Sequence, residues 1–191
     1  MTPLIDTHTH LYDESFDADR TEVIQRAAAA GVTRMITVSE TLASARRNLE
    51  LAGRHPELLA AAGLYPAYTD RAAAHQMYEF IREHRDRIAA IGEVGLDFRI
   101  VADEAGRQMQ REILEGFAAL SLELDLPLNV HSRSAGRHAV ELLIRAGAKK
   151  VQFHAFDGKA GAARPAVEAG CFFSIPPSVQ RSRQKQKLVR Q

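Results

Sequence analysis

The chain has 191 residues, 46% hydrophobic and 26% charged, the profile of an ordinary folded domain rather than a disordered or fibrous chain. With 25 basic against 24 acidic residues the formal net charge is +1, which excludes global steering toward a polyanion; any such attraction has to be local. The single cysteine, Cys171, cannot form an internal disulfide and predicts a reducing, cytoplasmic setting, and no apolar run approaches the roughly 18 residues of a membrane span. Asp6 and two histidines interrupt the first apolar run, which does not read as a signal peptide.

Short apolar runs alternate with longer amphipathic stretches. A strand is expected over Pro3–Thr7, then a helix over Asp19–Ala30 closed by Gly31. A strand over Arg34–Ser39 precedes a helix over Ser44–Gly53, and a strand over Leu58–Leu64 precedes a helix over Ala72–His84. A strand over Ile88–Gly92 leads to the longest helix, Ala105–Leu124, which sets Met109, Ile113, Leu114, Phe117, Leu120 and Leu124 on one face. The remaining pairs are Pro127–His131 with Gly136–Ala146 and Lys150–Ala155 with Gly161–Ala169, followed by a strand over Gly170–Ile175. Strand and helix in repeated alternation predict βα units around a parallel sheet in one domain.

The chemistry collects where these strands end. The first run closes on Asp6-Thr7-His8-Thr9-His10, the fourth on Gly92-Glu93-Val94-Gly95-Leu96-Asp97, the fifth on His131-Ser132-Arg133 and the sixth on His154. A parallel sheet gathers its C-terminal strand ends in space, so residues scattered in sequence share one mouth. His8 and His10, two apart on a strand, point to one face about 6.6 Å apart, close enough for both imidazoles to reach one ion. Asp6 shares that face and could orient a ligand, while Thr7 and Thr9 are expected to point the other way. A lone histidine at a strand end is ordinarily a hydrogen-bonded surface or core residue; the convergence of His8, His10, Glu93, His131 and His154 is what argues for shared metal ligation. His55, His75, His84 and His138 fall in a loop or in helical patterns and read as solvated or packing residues.

In these motifs the chain resembles the TatD-like metal-dependent deoxyribonucleases, in order and over nearly its whole length. The resemblance implies a TIM-type (β/α)8 barrel, related to the amidohydrolases, that binds divalent metal ions and hydrolyses phosphodiesters, typically DNA. It implies that His8, His10, Glu93, His131 and His154 bind two ions, with Glu93 as the bridge and the catalytic carboxylate. Imidazole with carboxylate leaves Mg, Mn and Zn all open as the metal. Arg133, beside His131, is expected to hold a phosphate oxygen, against a plain surface salt bridge. Asp97 is expected to orient loop backbone rather than touch metal.

Three departures stand out. Thr9 replaces a common Cys, facing away from the metals. Tyr65 replaces the His usual in a Gly-x-His-Pro motif on the substrate side, where it still offers a hydroxyl. The eighth strand, with its metal-binding aspartate, has no counterpart among about seven βα units. A barrel of this kind typically needs ~250 residues, so a truncated sequence is expected, against a gap covered by a partner or a lost catalytic part. Between Cys171 and Gln191 five basic residues occur with no acid; a solvated helix face is expected, against a phosphate-facing patch. Two other functions stay open. One is a metal-dependent amidohydrolase acting on a small C–N or ester substrate, disfavoured because no lysine ends a strand to serve as a carboxylated bridge. The other is a degenerate metal-binding interaction protein. Substrate polarity and oligomeric state are not readable.

Overall fold

A computed structural model describes residues 3–190. Its strands are β1 (Leu4–Thr9), β2 (Val32–Thr37), β3 (Leu58–Ala62), β4 (Ala90–Gly95), β5 (Leu128–His131), β6 (Val151–Phe153) and β7 (Phe172–Phe173). They form one seven-stranded sheet in the order β1 to β7, every neighbouring pair parallel. Helices α1 (Arg20–Ala29), α2 (Leu42–Arg54), α3 (Arg71–Glu83), α4 (Glu104–Leu124), α5 (Gly136–Arg145) and α6 (Ala160–Glu168) return the chain between strands, and α7 (Arg183–Val189) follows β7. Every expected strand and helix is present.

The sheet is curled. Thr7 on β1 contacts Asn129 on β5 and Gln152 on β6, residues that a flat sheet of this order would hold several strands away. The architecture is thus a TIM-type half-barrel: the parallel sheet that the βα repeat predicts, curled as the family resemblance implies. Its seam between β7 and β1 leaves Leu4, Ile5 and Phe172 56%, 58% and 75% exposed.

Local chemistry explains where the helices start and stop. Thr41 and Ser44 make a reciprocal capping box at α2, while Asp70 and Asp103 accept backbone N–H groups at the starts of α3 and α4. Gly31 takes a left-handed φ of +96° after α1, as its C-terminal position requires. Between the sheet and the outer helices lies the core. Ile91, Leu128, Val130, Val151 and Phe153 pack in the same cluster as Leu114, Phe117, Val140 and Leu143 of α4 and α5. Each such side chain contributes about 1.5–3 kcal/mol by leaving water. The alternate strand positions, Asn129 and His131 on β5 and Gln152 on β6, are left to face the barrel interior, and on β4 a register shift between Ile91 and Val94 turns Glu93 the same way. No helix among the described residues is long and apolar enough to cross a membrane.

Several strand boundaries shift by one to three residues from expectation, and two of the shifts have a clear physical reason. β1 runs on to Thr9, because Thr9 pairs with Thr37 and accepts the Val38 N–H, so His8 lies within the strand. β7 is reduced to Phe172–Phe173, which stand in register with Gln152 and Phe153 of β6.

Candidate metal centre

His8 and His10 are brought together by β1. Their Nε2 atoms lie 3.1 Å apart, and Glu93 Oε2 lies 4.0 Å from that of His8 and 3.8 Å from that of His10. Ligand atoms around a tetrahedral ion with bonds of about 2.1 Å stand roughly 3.4 Å apart, so this triangle has the dimensions of a three-ligand face. The three residues form the one group of metal-competent side chains found within such limits among the described residues.

The protonation of His8 is set by its neighbour. Asn129 Nδ2 donates to the Thr7 carbonyl at 2.6 Å and to Gln152 Oε1 at 3.0 Å, which fixes the amide with Oδ1 toward His8. Oδ1 can only accept, so His8 Nδ1 at 2.8 Å carries the proton and Nε2 keeps its lone pair. That is the tautomer a metal ligand needs, held by an outer partner. Burial pushes the His8 pKa down, against the pull of Glu93, and keeps the ring neutral.

Glu93 is 3% exposed, and its second oxygen, Oε1, accepts from His131 Nδ1 at 2.9 Å. His131 Nε2 donates to Asp97 Oδ2, also at 2.9 Å. Burial by itself would lower His131 and raise both carboxylates. The paired charges outweigh it, so His131 is raised and Glu93 and Asp97 are lowered. Both nitrogens of His131 are thus bonded to carboxylates, which favours its protonated form. Glycine makes this contact possible: a Cβ on Gly95, at φ +150°, would sit 2.0 Å from the His131 carbonyl oxygen.

His154 stacks on His8 with ring centroids 3.4 Å apart and planes 9° from parallel. Burial, and then the charge His8 would carry, push its pKa down to about 4. Its Nδ1 is buried without a hydrogen-bond partner, as is Ser132 Oγ. An orphaned imidazole nitrogen beside a histidine–carboxylate triangle is what a missing cation would satisfy. Together with the lone pair kept on His8, it makes the residues present a fitting set for a divalent metal.

Other residues are placed as follows. Asp97 Oδ1 accepts the Arg99 and Ile100 N–H groups, the loop-orienting role expected for it, while Oδ2 serves His131 and also accepts from the Tyr65 hydroxyl at 3.1 Å. The proton expected to face substrate from Tyr65 is therefore directed at Asp97. Arg133 is exposed on the rim of a cavity that His131 and His154 also line.

Two expectations about β1 are corrected. Asp6 is exposed and accepts the His8 backbone N–H, because its short side chain turns back along the strand rather than toward an imidazole. Thr7 does not point away: its hydroxyl accepts from Gln152 Nε2 at 2.8 Å, since an irregularity between Asp6 and Thr9 breaks the two-residue alternation. Thr9 Oγ1 does leave the site, donating to the Ile36 carbonyl. Asn129 and Gln152 were not singled out by sequence reasoning. Asn129 stands two residues before His131 on one strand, and that spacing was the available signal.

A profile of the family described as TatD related DNase matches residues 5–191. The chain belongs to this family. It is 40% identical over 200 residues to the deoxyribonuclease TATDN3 of Homo sapiens, covering 98% of this chain and 73% of that protein. It is 30% identical over 194 residues to an uncharacterized metal-dependent hydrolase, YabD, of Bacillus subtilis, covering 98% and 75%. Among solved structures, the TatD homolog YJJV of Escherichia coli superposes with a TM-score of 0.80 at 28% identity, covering 89% of this chain and 66% of that one. A TatD family hydrolase of Entamoeba histolytica superposes with a TM-score of 0.84 at 20% identity, covering 99% and 70%, a likeness of fold. The chain thus spans about two thirds to three quarters of the length of these TatD-family relatives.

Proposed function

We propose that the chain is a metal-dependent phosphodiesterase of the deoxyribonuclease type, acting at the mouth ringed by His8, His10, Glu93, His131 and His154. One observation carries the reading: Glu93 directs one carboxylate oxygen to the His8–His10 pair and the other to His131. A carboxylate shared in that way would suit a bridge between two divalent ions, with His8 and His10 to hold the first and His154 with His131 to hold the second once His131 Nδ1 gives up the proton it shares with Glu93. Mg, Mn and Zn all suit the donor set. Such ions supply Lewis acidity toward a phosphoryl oxygen and make a nucleophile available near neutral pH.

The protein's own groups do the rest. Arg133 holds a non-bridging phosphate oxygen with its guanidinium fork. Glu93, ionised and desolvated, would be the shared ligand, its two oxygens turned to the two halves of the site. Asp97 keeps His131 oriented through Nε2, and Tyr65 keeps Asp97 in place, with its phenol oxygen turned toward the substrate side. A single cysteine suits a reducing, cytoplasmic location, and DNA is the favoured substrate class because the human relative bears the name deoxyribonuclease.

The test is metal content together with cleavage of DNA by wild type and Glu93→Ala. Stoichiometric metal and cleavage that the variant abolishes are expected; full cleavage by a metal-free protein would refute the reading. A parallel panel of amide and lactone substrates should show no turnover.

A further inference from the structure

The five basic residues after Cys171 separate into two kinds once placed in space. Lys185, on α7, is half-buried and lines a cavity of about 310 Å³ together with Ser132, Arg133, His154 and Asp157. Its Nζ lies 3.2 Å from the Phe156 carbonyl, so the ammonium is drawn in rather than solvated. The two buried polar atoms without partners, Ser132 Oγ and His154 Nδ1, both belong to residues of this cavity wall. Asp157 is the one carboxylate there, and one of its oxygens is engaged by the Ser134 N–H.

The cavity does not stop at α7. It shares Asp157 with a larger hollow of about 750 Å³ whose walls include Gly136, His138, Lys159 and Gln184. That hollow in turn shares Lys159, Gly161 and Gln184 with a third, of about 410 Å³, bounded by Lys159, Arg183 and Lys187 and by no carboxylate at all. The three hollows are contiguous and basic on a protein whose net charge is only +1. Charge of this kind, gathered along one path leading from the candidate metal centre, is the local attraction that the overall composition does not supply.

We propose that this path, from Arg133 and Lys185 beside His154 to Lys159, Arg183 and Lys187, is a track for the phosphate backbone of an extended nucleic-acid strand leading away from the candidate metal centre. The inference rests on the phosphodiesterase reading and extends it: it assigns a route for the rest of the strand. An extended polyanion is favoured over a compact one because the cations are strung along successive hollows instead of converging on one point. The contacts are to backbone charge, so DNA and RNA strands should both bind, and affinity should rise with length.

The experiment is equilibrium binding of labelled oligothymidylates of about two, six and twelve residues to the full chain in EDTA at several salt concentrations, with oligouridylates as a second arm. Wild type is compared with K159Q/R183Q/K187Q and with a charge-matched control, R26Q/R54Q/R85Q, on exposed positions away from the track. Wild type should bind the longest strands tightest. The track variant should lose on the order of tenfold or more for them, with the salt slope falling by about 2, from roughly 0.7 for each lost phosphate contact. The dinucleotide and the control should be unaffected.

Absence of a length gain in wild type, equal loss in track and control variants, or an unchanged slope would each overturn the track. Single K187Q, expected to lower the slope by roughly 0.7, serves if the triple variant does not fold. The two readings fail separately. A protein that hydrolyses bis(p-nitrophenyl) phosphate with metal but gains nothing from strand length keeps the hydrolase reading and loses the track.

Discussion

Asn129→Ala removes the side chain that fixes the His8 tautomer while every candidate metal ligand is kept. Three hydrogen bonds go with it: His8 Nδ1 at 2.8 Å, the Thr7 carbonyl at 2.6 Å and Gln152 Oε1 at 3.0 Å. Each leaves a group that burial denies full access to water, at about 1–3 kcal/mol apiece, and partial rearrangement of Gln152 brings the expected loss of stability to about 2–4 kcal/mol. His8 is also freed to place its proton on Nε2 and to rotate, and losing such an outer partner typically costs 10–100-fold in metal affinity. Asn129→Asp separates the two effects. It retains an acceptor for His8 Nδ1 but offers no donor to Thr7 or Gln152, so it should lose stability while keeping metal affinity near wild type. Urea denaturation of the metal-free proteins and calorimetric titration with Zn and Mn measure both quantities. If Asn129→Ala binds metal as wild type does while Asn129→Asp does not, the tautomer argument is wrong.

Gly95→Ala forces a Cβ to within 2.0 Å of the His131 carbonyl oxygen at a φ of +150°; strain and overpacking together should cost on the order of 4 kcal/mol, and a melting temperature within a few degrees of wild type would count against the packing described. The metal-free protein should lose stability as pH falls from the ordinary histidine range toward about 4, because His154 and His8 are held neutral by burial while the unfolded chain takes up the protons. On the alkaline side, the stability from His131 is complete below its ordinary pKa of 6.5 and is lost as pH rises through its raised folded value. Denaturation midpoints across this range should therefore pass through a maximum, and a flat profile on the acid side would contradict the burial of the two rings. Tyr65→Phe deletes the hydroxyl that donates to Asp97; it should cost about 1 kcal/mol of stability, and nuclease assays beside metal titration will show whether the loss reaches the site, with no change in either arguing that the contact is idle.

Much of the fold was legible because its signals are periodic. β3 and β4 are apolar runs bounded by turn residues, and the α4 pattern of Ile113, Leu114, Phe117 and Leu120 buries the face that the helical period predicts. The pairing of His8 with His10 followed from the two-residue repeat of a strand. The same repeat misplaced Thr7, because an irregularity in the β1–β2 pairing turns that residue inward, and a pairing irregularity leaves no mark on hydropathy. Asn129 escaped notice for another reason. A polar residue inside an apolar run reads as a flaw in the strand until the groups opposite it, Thr7 and Gln152, are known to come from elements far away in sequence. His131 likewise reads as a ligand from sequence, whereas its second partner, Asp97, depends on a loop geometry that spacing does not encode.

The cross-links among Thr7, Asn129 and Gln152 join β1 to β5 and β6 through the Asn129 and Gln152 amides, which bond the Thr7 carbonyl, the Thr7 hydroxyl and each other. They lace the upper rim, while lower on the same strand Leu4 and Ile5 remain open to water. Among the described residues no strand pairs with the outer edges of β1 and β7, and such edges are templates on which another strand can add. The two ends of the half-barrel should therefore answer to different conditions. The rim, held by neutral hydrogen bonds, should be indifferent to protein concentration and to moderate salt. The seam should be the part that governs colloidal behaviour, with self-association rising with concentration and initiated at the apolar base of β1, at the opposite end of the strand from His8 and His10.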